Sequence, residues 1–168
     1  MTQARDLADR FHLRWLEENP FAASMYGIPG YDDLMPDESE EGAQAWRGEV
    51  AQFLGEAEAI AAEPLSPADA VTLDCTREAA VQELASIDLA RAEYTVTAMQ
   101  YAGPAVLMAV AARTVLLDAA AAEAYLARLR RSGVWLDQLS ERLRAGAKKG
   151  RLPVAPLRRR RCWDLSRR

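Results

Sequence analysis

Three adjacent residues, Tyr31, Asp32 and Asp33, form the cluster in this sequence whose residue types could best do chemistry. Two neighbouring carboxylates in a loop can bind a cation or the amine of a substrate. They can equally accept hydrogen bonds from backbone amides, which is the usual role of Asp in turns. The residue types leave both interpretations open, and the sequence context favours the structural one.

Metal-dependent and nucleophilic catalysis find little support among the other side chains. The chain has one histidine, His12, whereas a catalytic zinc needs three protein ligands and an open position for water. No Gly-rich phosphate loop follows a strand, and no Gly-x-Ser-x-Gly sequence is present. His12 stands one step from the apolar stripe of its helix, so we interpret it as a partly exposed boundary residue. We predict no catalytic residue, no metal ligand and no cofactor in this chain by itself.

A basic tail, residues 158–168, contains four consecutive arginines, Arg158, Arg159, Arg160 and Arg161. These side chains could bind phosphate, and Trp163 could stack on a base. A shifted reading frame is the alternative that we favour. Arginine codons of the CGN type in a GC-rich gene encode Val, Ala, Asp or Gly when they are read one base over.

The net charge of -4 hides an uneven distribution. Residues 142–168 hold eleven of the 21 Lys and Arg residues and one of the 25 acids, so this part is strongly basic. The remaining 141 residues are strongly acidic, which opposes general affinity for nucleic acid. A charge asymmetry of this kind is typical of an interaction tail, but it does not identify a partner.

Helical patterns account for most of the first 64 residues. Apolar residues recur every four positions in residues 2–19 and predict a helix that ends before Pro20, because the residue before proline avoids helical angles. Pro20 can then open a short helix that stops at Gly27. Residues 28–36 contain two prolines and a glycine and are predicted to be a loop. Asp37 is predicted to begin the third helix by accepting its first free amides.

Two further helix starts are predicted in the middle of the chain. Ser66 and Pro67 provide a capping hydroxyl and a proline for a fourth helix that runs to about Arg91. Residues 105–117 are apolar all round, a pattern typical of a central buried helix.

The last predicted helices follow Asp118, which can serve as a cap. Tyr125, Leu126 and Leu129 are predicted to face inward, and Ser132-Gly133 is predicted to break or kink the chain. A final helix then carries Trp135. The fold class is therefore predicted to be all-α, an irregular array of about six helices.

Several blocks of sequence occur in an order that resembles one bacterial family. The most specific block is Asn19-Pro20-Phe21-Ala22-Ala23, followed by Tyr26-Gly27-Ile28, Tyr31-Asp32-Asp33 and Pro36-Asp37. The later blocks are Leu65-Ser66-Pro67-Ala68-Asp69, Gly103-Pro104, Tyr125-Leu126-Ala127-Arg128-Leu129 and Gly150-Arg151-Leu152-Pro153. Together they are similar to the N-terminal part of the proteins filed as domain of unknown function 885.

That family resembles zinc metallopeptidases of the carboxypeptidase type. The resemblance implies that residues 1–157 are a helical N-terminal region, an incomplete part of a larger helical protein. It also implies that zinc binds a His-Glu pair followed by Pro-Gly-His-His, which lies further along the longer family members and is absent here. Zinc is therefore expected only in a full-length member. The resemblance further raises the hypothesis that the loop with Asp32 reaches the catalytic cleft of those proteins.

Two functions follow as expectations. The first is a non-catalytic helical fragment of a zinc-dependent, peptidase-like protein of unknown substrate, whose partner is the missing catalytic region or a second copy. Uncovered apolar helix faces would then favour self-association. The alternative is a small helical binding protein whose basic tail engages nucleic acid or an anionic membrane. A complete enzyme in this chain ranks last.

Composition and sequence patterns also indicate the size of the core, the absence of a membrane span and the cellular location. Apolar residues make up 50% of the 168 positions, enough for one globular unit with a sizeable core. The longest nearly uncharged run, residues 94–112, is interrupted by Gly103-Pro104, whereas a membrane span needs about 20 predominantly apolar residues. We therefore expect no transmembrane segment. The absence of a signal-peptide pattern and two cysteines without disulfide or metal spacing indicate a cytoplasmic protein.

Overall fold

The computed structural model of the protein describes residues 2–94 and 104–152. These residues form α1 (Gln3–Glu18), α2 (Pro20–Tyr26), α3 (Glu40–Ala61), α4 (Pro67–Asp88), a 3-10 turn (Arg91–Glu93), α5 (Ala105–Ala111) and α6 (Ala119–Lys148). No strand occurs in these two ranges. The predicted all-α class is confirmed.

Side-chain caps fix the starts of the long helices. The hydroxyl of Ser66 accepts a hydrogen bond from the amide of Asp69 at the start of α4, and Asp118 Oδ1 accepts from the amide of Ala121 at the start of α6. Both starts agree with the predicted caps. The predicted start of α3 at Asp37 is wrong by three residues. Ser39 caps α3 instead, because its hydroxyl accepts from the amide of Gly42, while Asp37 accepts from the amide of Ser39.

Helices α1, α3 and α4 pack together around two adjoining apolar clusters. The first cluster comprises Ala4, Leu7, Ala57 and Leu73, and the second comprises Phe11, Trp46, Val50 and Ala80. The side chains of α1 that the sequence placed on one apolar stripe thus face the other two helices. Phe11 meets Phe53 edge to face with ring centroids 5.5 Å apart, a favoured geometry for aromatic pairs.

Helices α2, α5 and α6 form a second group around Phe21, Val110, Trp135 and Leu139. Phe21 meets Trp135 edge to face at 5.3 Å between ring centroids. Gly27 ends α2 in the left-handed conformation (φ 72°), which glycine adopts without steric cost. Asn19 joins α1 directly to α2, so the chain passes from the first group of helices to the second at this residue.

Two predictions about the C-terminal helices are wrong. The predicted break at Ser132-Gly133 is absent, because α6 is continuous and buried residues on both sides of Gly133 hold it to the rest of the molecule. A glycine inside a helix costs only about 1 kcal/mol, which this packing outweighs. Leu126 and Leu129 do not face inward but are exposed.

The predicted central buried helix over residues 105–117 is also wrong. Helix α5 ends at Ala111, and only Val110 of this helix is fully buried. The hydroxyl of Thr114 donates to the carbonyl of Val110 just after the helix ends. The apolar residues after α5 therefore lie at the surface.

Candidate functional site

Arg128 of α6 holds the loop between α2 and α3. It is fully buried, and its Nε donates to the carbonyl of Leu34 at 2.9 Å while Nη2 donates to the carbonyl of Tyr31. The guanidinium also lies over the Phe21 ring, 5.5 Å from its centroid. Burial lowers the pKa of Arg128, and the nearby charges of Asp32 and Asp33 act in the opposite direction. Arg128 therefore fixes the path of the predicted loop through hydrogen bonds to the backbone carbonyls of the loop.

Tyr31, Asp32 and Asp33 lie together on this loop, as the sequence indicated. Asp32 Oδ1 accepts from the hydroxyl of Ser24 at 2.6 Å and lies 3.9 Å from Nη1 of Arg128. The carbonyl of Asp33 accepts from Nη1 of Arg131 at 3.1 Å. The contacts of this loop are therefore made with side chains of α2 and α6, and none of its three residues lines the cleft beside it.

A cleft of about 520 Å³ opens between the two groups of helices. It begins where the loop ends, at Pro36, Asp37 and Glu38. The rest of its wall comes from all six helices and the residues around the 3-10 turn, and it includes Glu18, Phe21, Trp46, Glu83, Arg91, Val106, Trp135, Leu139 and Arg142. Aromatic and aliphatic side chains thus alternate with carboxylates, a composition typical of a small-ligand site.

Glu38 is the carboxylate of the cleft whose environment is most unusual. Burial raises its pKa, and the Trp135 indole N–H and the charge of Arg142 partly oppose this. Among the described residues the indole N–H has no hydrogen-bond partner of normal geometry, and the backbone amide of Glu38 donates to Oε1 of Gln138 on α6. A buried carboxyl of this kind can hold a proton above the ordinary pKa of Glu.

Three other charged groups of the cleft, Glu83, Glu18 and Arg142, are already engaged. Glu83 accepts from the indole N–H of Trp46 at 2.9 Å, and Glu18 pairs with Arg14 at 2.6 Å. Arg142 donates to Glu40 at 2.7 Å. Within residues 2–94 and 104–152, no group of three His, Cys, Asp or Glu side chains could hold a metal ion. The arrangement can bind a small molecule and hold a proton at Glu38, but it brings together no nucleophile and base.

One family model, described as a bacterial protein of unknown function (DUF885), matches residues 20–161 of this chain. The match covers the loop, most of the cleft and α6, and it omits α1. The chain belongs to this family. No curated protein and no solved structure matches it.

The other residues singled out in this family member lie away from the cleft. His12 is exposed on α1, and Cys75 is exposed on α4. Arg158, Arg159, Arg160 and Arg161 fall outside the described residues, as does most of residues 151–161 of the family match. The proposed roles of the loop and of the tail therefore stay predictions.

Sequence reasoning missed Arg128, Glu38 and Arg142 as important residues. Arg128 and Arg142 share one face of α6 with Trp135 and Leu139, and this face is buried. An arginine on a helix face that is otherwise apolar is a sequence signal for a buried cation with hydrogen-bond acceptors around it. Glu38 gave no such signal, because its position between Asp37 and Ser39 resembles an ordinary helix start.

An uncovered apolar surface follows α5. We call it the α5 end, and it consists of Met108, Val115, Leu116 and Leu117. Met108 is 72% exposed and Leu117 is 85% exposed. No helix in the described part of the chain is long and apolar enough to cross a membrane.

Proposed function

We propose that this chain is the non-catalytic, helical N-terminal region of a longer peptidase-like protein that depends on zinc. Membership of the family supports the assignment, together with the resemblance of that family to zinc metallopeptidases. In this proposal the metal and the reacting groups belong to a following helical region. The chain contributes packing surface and one wall beside the substrate.

The uncovered α5 end is the observation that carries this proposal. Four large apolar side chains that are close together in sequence are exposed to water, and residues 105–117 contain a single charge, Arg113. Covering apolar area stabilises a protein by about 25 cal/mol per Å². Where such side chains form one patch, that patch is typical of an interface. A helical catalytic region packed on it would bury these side chains.

The loop of Tyr31, Asp32 and Asp33 has a defined place in this proposal. Arg128 and Arg131 hold its backbone, so its carboxylates can keep a fixed position towards a neighbouring region. We propose that a substrate amine or a bound cation in the full-length protein approaches this loop. Zinc itself would bind to residues outside this chain, since three protein ligands are needed.

Sequencing the gene beyond the codon for Gly150 tests the proposal directly. We expect a frame that encodes the His-Glu pair and Pro-Gly-His-His, either downstream in the same frame or after a one-base correction. A confirmed stop codon after Arg168 with no such frame behind it would contradict the proposal.

A binding experiment tests the α5 end. The double variant Leu116→Ser/Leu117→Ser should bind less of a dye that fluoresces on apolar surfaces, and it should lose affinity for a separately produced catalytic region. Leu13→Ser on α1 is the matched control, because Leu13 is also exposed but lies far along the chain from α5. Equal effects of the two changes would remove the α5 end as the interface.

The basic tail supports a second candidate, a binding protein for nucleic acid or anionic membrane. Two cations that precede the tail are not available to such a partner, because Lys149 and Arg151 both donate to Glu93. Removal of residues 158–168 should abolish this binding, and binding should weaken steeply with salt. Binding that salt does not change would eliminate this candidate.

A further inference from the structure

Helix α6 has two apolar faces, and the molecule covers only one of them. Arg128, Trp135, Leu139, Arg142 and Gly146 form the buried face. Leu126, Leu129 and Leu136 form a second row, which we call the leucine stripe, and they are 42%, 38% and 38% exposed. Gly133 lies in the same row, so the intervals from Leu126 to Leu129, Gly133 and Leu136 are three, four and three residues. At about 100° per residue, the stripe lies roughly a third of a turn from the buried face.

The spacing of the leucine stripe is that of a coiled-coil seam. Leu126 and Gly133 occupy a positions, and Leu129 and Leu136 occupy d positions. Ser140 and the half-buried Leu143 extend the pattern towards the end of the helix. A second helix could therefore lie along the stripe over about five turns.

Four charged residues flank the leucine stripe at intervals of seven. They occupy successive e positions with alternating sign and are Glu123, Arg130, Asp137 and Arg144. All four are exposed, and none forms an ion pair within residues 2–94 and 104–152. Other arginines of α6 do have acceptors, among them Arg128, Arg131 and Arg142.

We propose that the leucine stripe binds a second copy of this chain, with the two α6 helices antiparallel. A two-fold axis near Gly133 and Leu136 places Leu126 against Leu143 of the second copy. The same axis places the small Gly133 against Leu136 of that copy, which lets the helices approach closely. In the inner pairs of the seam a leucine then meets a small residue, and each leucine can insert between residues of the facing helix.

The flanking charges select this antiparallel arrangement. When the two helices run in opposite directions, e positions face e positions across the seam. Arg130 then faces Asp137 of the second copy, and Glu123 faces Arg144. All four symmetry-related pairs have opposite sign, so the stripe is electrostatically complementary to itself.

A parallel pair gains nothing from these charges. In that arrangement e positions face g positions, and the g positions here are Tyr125, Ser132, Leu139 and Gly146, which carry no charge. A partner unrelated in sequence would not need the strict alternation of sign. The second copy is therefore the occupant that fits best.

Sedimentation velocity of the full chain at about 1 to 200 µM measures this association. The small seam predicts a weak dimer, with a Kd on the order of tens of micromolar. Asp137→Arg should weaken the dimer at least about 10-fold, because two attractive pairs become repulsive. Arg130→Glu should do the same. The double variant Arg130→Glu/Asp137→Arg restores opposite signs and should bring the Kd back to within about 3-fold of the original.

Glu141→Arg is the matched control, since it makes the same change of charge on an exposed residue of α6 outside the stripe. It should leave the Kd unchanged. The swap Glu123→Arg/Arg144→Glu provides an independent second test of restoration. Circular dichroism verifies that each variant retains its helical content.

Three results would overturn the proposal: a chain that is monomeric at every concentration, a dimer that Asp137→Arg does not weaken, or single variants that the swap does not rescue. Rescue by the swap cannot arise from nonspecific apolar aggregation. None of these variants changes a residue of the α5 end. A negative result for the dimer would therefore not contradict the proposed function. Loss of the α5 interface would equally leave this dimer intact.

Discussion

Arg128 carries a full charge in a place that water does not reach. Arginine does not deprotonate in proteins, so its N–H groups must find acceptors. The carbonyls of Tyr31 and Leu34 fill this role, and Asp32 supplies a compensating charge 3.9 Å away. The loop therefore satisfies Nε and Nη2 of Arg128, whereas Nη1 has no hydrogen-bond partner within residues 2–94 and 104–152.

Arg128→Met should destabilise the protein by about 3 kcal/mol, because the carbonyl of Leu34 loses its donor and that of Tyr31 keeps only the amide of Leu34, while the apolar stem is kept. Urea unfolding measures the change in the free energy of unfolding. Arg131→Met is the control, and it should cost less than about 1 kcal/mol because Arg131 is exposed and makes one bond to the loop. Equal costs would show that Arg128 does not fix the loop.

Glu38→Gln should stabilise the protein near neutral pH. Burial raises the pKa of Glu38, so folding favours its protonated form, and the stability present below the ordinary pKa of Glu is lost as pH rises through the folded pKa. The neutral amide avoids that loss. Thermal unfolding from pH 3 to pH 8 should show a gain in Tm that disappears below about pH 4, the ordinary range of Glu. A gain that does not depend on pH would contradict this explanation.

At the scale of elements, the end of α6 docks on the 3-10 turn. Glu93 is buried there and accepts from Lys149 at 2.9 Å and from Arg151 at 2.8 Å. The Lys149 hydrogen bond, aided by the charge of Arg151, lowers the pKa of Glu93. Gly146 packs directly against the backbone of Glu93, so the helix approaches the turn more closely than a side chain would allow.

Gly146→Ala should destabilise the protein by about 2 kcal/mol, because the new Cβ would overlap the carbonyl oxygen of Glu93 and the helix would have to move. Gly48→Ala on α3 is the matched control, since open space surrounds that position. It should stabilise the protein by about 0.5 to 1 kcal/mol, the usual gain of alanine over glycine inside a helix. Chemical denaturation measures both values, and a neutral Gly146→Ala would show that α6 does not dock closely.

At the scale of the whole molecule, burial is unequal between the two groups of helices. The group of α1, α3 and α4 contains two of the three apolar clusters, whereas α5 contributes one fully buried residue. Regions with few buried apolar contacts open locally at lower free energy than the core. The molecule should therefore open first at α5.

Amide hydrogen exchange should be fastest in α5 among the six helices described above and slowest in α1, α3 and α4. Mass spectrometry of peptides from the exchanged protein measures the difference. If the proposed catalytic region covers the α5 end, adding it should slow the exchange of α5, whereas the controls in α3 should not change. Protection of α5 equal to that of α4 in the isolated chain would contradict this prediction.

Local signals determined the elements of this fold. Ser66 and Pro67, Asp118 and Gly27 act on backbone groups a few residues away, so their effects can be read directly from the sequence. The apolar spacing of α1 likewise identified Leu7 and Phe11 as core residues. Family membership could also be predicted from the sequence, because the sequence blocks typical of the family occur in order along the chain.

Tertiary structure alone decided where buried charges and exposed apolar residues would go. No local rule places Arg128 under a loop almost a hundred residues earlier in the chain, or brings Glu38 to Trp135. The apolar composition of residues 105–117 predicted burial, but burial requires a neighbouring surface, and nothing in the described chain covers Leu117. Sequence sets the propensity of a segment, while packing between distant segments decides which of its faces meets water.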